Sequence, residues 1–198
     1  MVCEVDLILA TRNAHKTREF RELLGDQFNI VDLSSFAELQ IPEETGSTFK
    51  QNAILKAVTV SGAVDKLVIA DDSGLEVDAL GGAPGIYSAR YTGEGASDDA
   101  NIKKLLRELK KATNRSARFR CVIALARAGT ILGAFEGIVK GNIVDPPRGN
   151  AGFGFDPVFQ PTGFDQTFAE LPSGLKNKIS HRARAVASLR EKLREIAD

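Results

Sequence analysis

Cysteine is scarce in this chain: 198 residues contain only Cys3 and Cys121. With no His/Cys cluster around either, a disulfide framework is excluded, and reduced thiols packed in a core fit better. An excess of one charge is missing too, because 26 Lys and Arg balance 26 Asp and Glu. The chain therefore has no electropositive field of the kind that gathers polymeric nucleic acid, and any anion it binds should be small. Long hydrophobic runs are absent. The N-terminal MVCEVDLILATRN has no basic leader and its short apolar stretch is interrupted by acids, which argues against a secretory signal or a membrane span and for a cytoplasmic protein. Repeats, low-complexity tracts and long Pro/Gly/Ser linkers are also lacking, so residues 1–198 are expected to form one folded unit.

What is present is a 43% hydrophobic composition, enough for a sizeable core. Leu7, Ile8, Leu9 and Ala10 form a continuous apolar run that predicts a buried strand over residues 5–11. A helix should open near His15, with Phe20, Leu23 and Leu24 on one face and Gly25 at its C-terminal cap. A second strand is expected near residues 29–33, then a loop over 40–47. Thr48 with Gln51 three residues later reads as a capping box for a helix running to Val64, with Ala53, Ala57 and Val60 on one face.

A short strand over residues 67–70 should end at Asp71-Asp72-Ser73-Gly74, placing two carboxylates and a hydroxyl beside a turn. Ser97 can cap an amphipathic helix carrying Ile102, Leu105, Leu106 and Leu109. Alternation from Phe119 to Leu125, a turn at Ala128-Gly129-Thr130 and a β-rich run to Val139 read as a hairpin. A last helix from about Ser180 should pack Val186, Leu189, Leu193 and Ile196 inward. Its first turn holds His181, Arg182 and Arg184, cations that oppose the helix dipole unless an anion or an electronegative ligand edge is bound there. Helices alternating with strands, followed by a hairpin, predict an α/β fold with a mixed sheet.

The acids suggest chemistry. Glu43 and Glu44 precede one helix, and Asp71 and Asp72 end a strand. Mg²⁺ takes only one or two protein carboxylates and completes its octahedron with water and substrate phosphates, so acids this far apart in sequence suffice. Taken alone, such pairs equally suit solvated turns. Between the first strand and its helix, the stretch from Thr11 through Arg12 and Asn13 to Lys16 offers backbone N–H groups, a hydroxyl, an amide and an ammonium for phosphate oxygens. Neither a Walker P-loop nor a dinucleotide Gly-x-Gly-x-x-Gly fingerprint is present. In Gly152-Phe153-Gly154-Phe155-Asp156 the glycines permit close backbone approach while an aromatic ring can stack on a base.

In order, ILATRNAHK (8–16), EETGSTFKQNAILKA (43–57), ADDSGLEVDALGGAPGIYSARY (70–91), GFGFDPVF (152–159) and ISHRARA (179–185) resemble the inosine triphosphate or non-canonical purine NTP pyrophosphatase family, over nearly the whole chain. The resemblance implies a long twisted mixed sheet flanked by helices, in two lobes around a central nucleotide cleft, and usually a homodimer. It implies hydrolysis of inosine, deoxyinosine and xanthosine triphosphates to monophosphate and pyrophosphate with Mg²⁺. Residue by residue, Thr11, Asn13 and Lys16 look like triphosphate contacts, with Arg12 beside them. Glu43 and Asp72 look like the metal-associated acids, a role Glu44 and Asp71 can share, and Ser73 looks like a further substrate contact. Phe155 and Asp156, next to Phe153 and Gly154, look like base-stacking and base-recognising residues. Lys176 matches a substrate-binding lysine, and His181 with Arg182 the pair that reads the purine edge. Arg12 stands where glycine is common, Phe155 where tyrosine is common, and Asn150-Ala151 where Thr-Gly is usual.

The chemistry implied is attack of water on the α-phosphorus with Asp72 as the base. Two other classes share parts of this pattern. A pyrophosphatase for modified pyrimidine nucleotides should lack the Ser180-His181-Arg182 segment, and a non-catalytic nucleotide-binding module would need the phosphate grip without the acids.

Overall fold

The computed structural model describes residues 5–197; Cys3 and the rest of the N-terminal start lie outside the described residues. Its elements run β1 (Val5–Leu9), α1 (Ala14–Leu24), β2 (Phe28–Asp32), α2 (Phe49–Ala63), β3 (Leu67–Val77), α3 (Asp98–Glu108), β4 (Ser116–Arg127), β5 (Thr130–Ile143), β6 (Phe159–Pro161), α4 (Ser173–Ile179) and α5 (His181–Ala197). The strands form one sheet in the order β2-β1-β3-β4-β5-β6. β1 runs parallel to β2 and β3, whereas β6 is antiparallel to β5, so the sheet is mixed, as the alternation of elements predicts. No described helix is long and apolar enough to cross a membrane.

The chain packs as two compact units, each assembled from separated stretches. The first comprises the stretch ending at Asp72, Cys121–Gly137 and the stretch from Arg182 onward; the second comprises Ser73–Arg120 and Ile138–His181. In the first, β1 carries an apolar run because it lies between two parallel neighbours. Leu7 and Leu9 pack with Phe20 and Leu24 of α1, Ile69 of β3, Ile123 and Leu125 of β4, and Val186, Leu189 and Leu193 of α5. Ile196, expected to face inward, is 37% exposed near the helix end. In the second, Ile102, Leu105 and Leu109 pack with Leu75, Val77, Val139 and four phenylalanines. The Phe119 ring meets Phe159 edge-on at 4.7 Å and stacks on Phe168 at 5.9 Å.

Helix starts follow the capping residues in the sequence. Thr48 accepts Gln51 N–H at 3.2 Å. The reciprocal half of the capping box is shifted by one residue, since Gln51 Oε1 takes Ser47 N–H at 2.8 Å. Gly25 ends α1 with φ 71° but ψ −174°, positive φ as expected without the left-handed ψ. β3 departs most from expectation, continuing through Asp71-Asp72-Ser73-Gly74 to Val77 instead of turning. The short α4 and β6 have no signal in the hydrophobic pattern.

Candidate active site

In the first unit, Asp71 and Asp72 are neighbours on β3 and their side chains leave it on opposite faces. Both are buried, and cations reach each of them. Arg182 Nε lies 3.1 Å from Asp71 Oδ2, Lys16 Nζ is ion-paired with Asp71 Oδ1, and Cys121 Sγ is 3.1 Å from Oδ2. On the other carboxylate, Lys56 Nζ donates to Asp72 Oδ1 at 3.0 Å and Asn52 Nδ2 to Oδ2 at 3.3 Å.

Asn52 and Lys56 stand one turn apart on α2, so both reach the same side. Lys56 Nζ also donates to Glu44 Oε1 at 3.0 Å and to the Asp71 carbonyl at 2.8 Å. Asn52 Oδ1 takes Gly46 N–H at 2.8 Å, which ties the loop carrying Glu44 to the helix.

These surroundings act in opposite directions on the two acids. For Asp71, burial pushes the carboxyl up, but the Arg182 and Lys16 charges overturn it and hold the group well below the usual carboxylate range. For Asp72, burial and the nearby Glu44 charge prevail over Lys56 and raise it to about 6. Burial disfavours the charged form of Lys56, yet Asp72, Glu44 and Asp71 together raise it. Asp72 is thus poised to exchange a proton near neutrality, while Asp71 stays ionised.

Arg182 does not stand where a base-reading donor is expected. Its side chain is 1% exposed, with Nη1 on Glu19 and Nε and Nη2 on Asp71. Two protein carboxylates supply the negative charge that this cation near the N-terminus of α5 called for, so no bound ligand is needed to explain it. His181 is buried and stacks on Phe119 at 4.8 Å within the second unit.

The loop before α1 is organised by its own side chains. Asn13 Oδ1 accepts His15 and Lys16 N–H, capping the helix, and Thr11 Oγ1 accepts Asn13 N–H at 3.2 Å. These hydrogen bonds leave the Asn13 amide nitrogen as its side-chain donor. Arg12 donates from Nη2 to the Leu39 carbonyl at 2.7 Å, so it holds a neighbouring segment.

In the second unit, the loop from Gly152 to Asp156 is braced from inside. Asp156 Oδ2 accepts Phe153 N–H at 3.0 Å and Lys176 Nζ at 2.6 Å, and both Asp156 and Lys176 are buried. Gly152 has φ +75°, and a Cβ there would sit 2.0 Å from Asp156 Oδ2, so glycine is required on both counts. The two phenylalanines part company. Phe155, expected to stack on a base, is 2% exposed in the core, edge-on to Tyr91 at 6.4 Å. Phe153 is only partly buried and carries Lys176 Nζ 5.3 Å from its ring centre. It is the aromatic of this loop that can meet a ligand.

Among the described residues, no group of three or more His, Cys, Asp or Glu side chains is arranged to hold a metal. A Mg²⁺ ion needs fewer, since hard oxygens from one or two carboxylates suffice. Glu44 and Asp72 meet that requirement, because both carboxylates converge on one ammonium. Glu43, expected beside Asp72, is exposed; the carboxylate that shares a partner with Asp72 is that of Glu44.

Sequence reasoning missed Asn52, Lys56 and Glu19. The first two carried a usable signal: each directly precedes a small apolar residue of the buried stripe, Ala53 and Ala57, where a polar side chain is drawn under the surface. Ser73 is half-buried.

With this geometry in hand, the chain can be compared with known proteins. A profile of the Ham1 family matches residues 7–192. The dITP/XTP pyrophosphatase of Bacillus licheniformis is 52% identical, covering 93% of this chain and 95% of that protein. Its counterpart in Bacillus subtilis is 49% identical, covering 96% and 97%. The solved structure of the Staphylococcus aureus Ham1 protein superposes with a TM-score of 0.86 at 44% identity, covering 96% of this chain and 98% of that one.

Proposed function

The chain belongs to the Ham1 family, and from that premise we propose that it hydrolyses dITP, XTP and ITP to the nucleoside monophosphate and pyrophosphate. The observation that supports this most is the pair of unlike carboxylates on β3. Asp71 is locked as an anion by Arg182 and Lys16, and Asp72 is raised to about 6 beside Glu44 and Lys56.

In this reading Asp72 takes a proton from water as its oxygen bonds to the α-phosphorus. The bridging bond to the β-phosphate breaks and pyrophosphate leaves. A carboxylate titrating near 6 is largely ionised at neutral pH yet still basic enough to accept a proton. Lys16, Thr11 and the Asn13 amide bind phosphate oxygens, and Lys56 holds Asp72 and Glu44 in place. Glu44 and Asp72 would hold Mg²⁺, which when bound offsets phosphate charge and lowers the pKa of coordinated water.

Phe153 offers its ring to the base. Lys176 and His181 are the candidate donors for a 6-oxo group, which adenine lacks; the Ser180 N–H is spent on the Lys176 carbonyl and Arg182 on two carboxylates. A donor facing the 6-amino group of adenine leaves both unpaired, a mismatch of about 1–3 kcal/mol. A homodimer and a cytoplasmic location belong to the same proposal.

The test is incubation of the purified protein with Mg²⁺ and a panel of nucleoside triphosphates, measuring pyrophosphate and orthophosphate separately. Pyrophosphate from ITP, dITP and XTP, with little from ATP, is expected. Orthophosphate as the product, or equal rates on all bases, would overturn the reading.

A further inference from the structure

Phe153 and Gly154 are consecutive, and both of their N–H groups are held by carboxylates. Phe153 N–H donates to Asp156 Oδ2 at 3.0 Å from within the loop. Gly154 N–H donates to Asp98 Oδ2 at 2.6 Å, and Asp98 belongs to the first turn of α3. Packing does not fix this point, since Gly154 has φ +61° and nothing would lie within 4 Å of a Cβ there. The Asp98 hydrogen bond is therefore the direct hold on Gly154 itself, between Phe153 and the buried Phe155.

The helix that carries Asp98 is itself anchored to the segment at Tyr91 and Thr92, which borders the loop through Phe155. Buried Asn101 accepts Thr92 N–H and Oγ1–H, each at 2.9 Å. Lys104 donates to the Tyr91 carbonyl at 2.7 Å and lies 4.0 Å from its ring centre. Tyr91 in turn meets Phe155 edge-on. So α3 grips the loop at Gly154 directly and at Phe155 through Tyr91.

We propose that Asp98 is a positioning residue for the nucleobase, its carboxylate fixing the Gly154 amide and with it the presentation of the Phe153 ring. This rests on the reading above that the loop receives the base. Asp99 separates the role from a general effect of negative charge at a helix N-terminus. It lies in the same first turn but turns to Lys103, with which it pairs at 2.6 Å.

The experiment compares Asp98→Ala, Asp98→Asn, Asp99→Ala and Phe153→Ala in the Mg²⁺-loaded enzyme. It measures KM and kcat for ITP and ATP and the inhibition constant of tripolyphosphate, which has no base. Loss of one charge-assisted hydrogen bond should raise the ITP KM of Asp98→Ala about fivefold. The kcat should stay within about twofold and tripolyphosphate inhibition should be unchanged, because the phosphates are bound elsewhere. Asp98→Asn keeps an acceptor oxygen and should restore most of the KM, while Asp99→Ala should behave as wild type. If Asp98→Ala matches Asp99→Ala while Phe153→Ala raises the KM, the positioning role is overturned and the base reading stands. If Asp98→Ala weakens tripolyphosphate as much as ITP, the role is likewise overturned. An unchanged KM in Phe153→Ala overturns the base reading of the loop and this proposal with it.

Discussion

Asp71 and Asp72 share a peptide bond and are both buried, yet the carboxyl of one lies well below its usual range and that of the other is raised to about 6. The alternation of β3 sends one towards Arg182 and Lys16 and the other towards Lys56 and Glu44. One acid has two cations close to it; the other shares one cation with a second acid. That difference in local charge balance is enough to assign them different work.

The Asp72→Asn substitution is expected to fold and to lose turnover by roughly 10²-fold or more, since a near-isosteric amide cannot accept the proton. Stability should move the other way. A carboxyl titrating near 6 when folded and near 3.8 when unfolded makes the folded state bind more protons between those values, so its contribution falls as pH rises from about 4 to 6. Ionised Asp72 therefore costs stability at neutral pH, on the order of 1–3 kcal/mol. Thermal midpoints of Asp72→Asn should be at or above wild type at pH 8 and lose that advantage at pH 5. A lower midpoint at pH 8 would contradict this.

Arg182→Met should be read first in stability. Removing the guanidinium leaves Asp71 and Glu19 as buried acids, a loss of about 3–5 kcal/mol by urea unfolding at pH 8. The lowered carboxyl of Asp71 contributes stability above its unfolded value and loses it as pH falls through the folded one. Without Arg182 the acid can protonate more readily, so the deficit against wild type should shrink towards pH 4. A deficit below about 1 kcal/mol at pH 8 would mean that the pairing matters little.

Lys56→Met removes the stronger of the two cations, Lys56 and Lys16, that oppose the rise of Asp72. Its pKa should climb further, moving the acid limb of the kcat/KM profile to higher pH, so that activity relative to wild type is lower at pH 6 than at pH 8. A profile scaled down equally at every pH would show that Lys56 acts on something other than Asp72.

Two glycines of the aromatic loop give a matched comparison. Gly152 and Gly154 both have positive φ, so alanine at either costs about 1 kcal/mol for conformation. Only at Gly152 would the new Cβ meet the Asp156 carboxylate, displacing the group that holds Phe153 N–H and Lys176. Gly152→Ala should raise the KM for ITP well beyond Gly154→Ala, measured by initial rates. Equal effects would remove the steric argument.

The periodic elements were legible in the sequence because their cause is local. The apolar stripes of α1, α3 and α5, the caps Thr48 and Ser97, and the turn at Ala128-Gly129 each depend on residues a few positions apart. What escaped depends on distant partners. Asp-Asp-Ser-Gly looks like a turn, and it stays in β3 because Lys16, Lys56 and Arg182 come from three helices to neutralise it. The resemblance makes Phe155 the base platform, and only Tyr91 and the neighbouring core, which bury it, turn the choice to Phe153. Likewise the resemblance favours Glu43, and it is the distant Lys56 that singles out Glu44.

Arg182 follows Asp71 by 111 positions and Glu19 by 163. During translation both acids and Lys16 exist before Arg182 does. The first unit cannot complete the pairing of these two acids until α5 has been made, however early its strands emerge. Synthesis of α5 thus becomes a folding step in its own right, and a product cut short before it would hold Glu19 and Asp71 without Arg182.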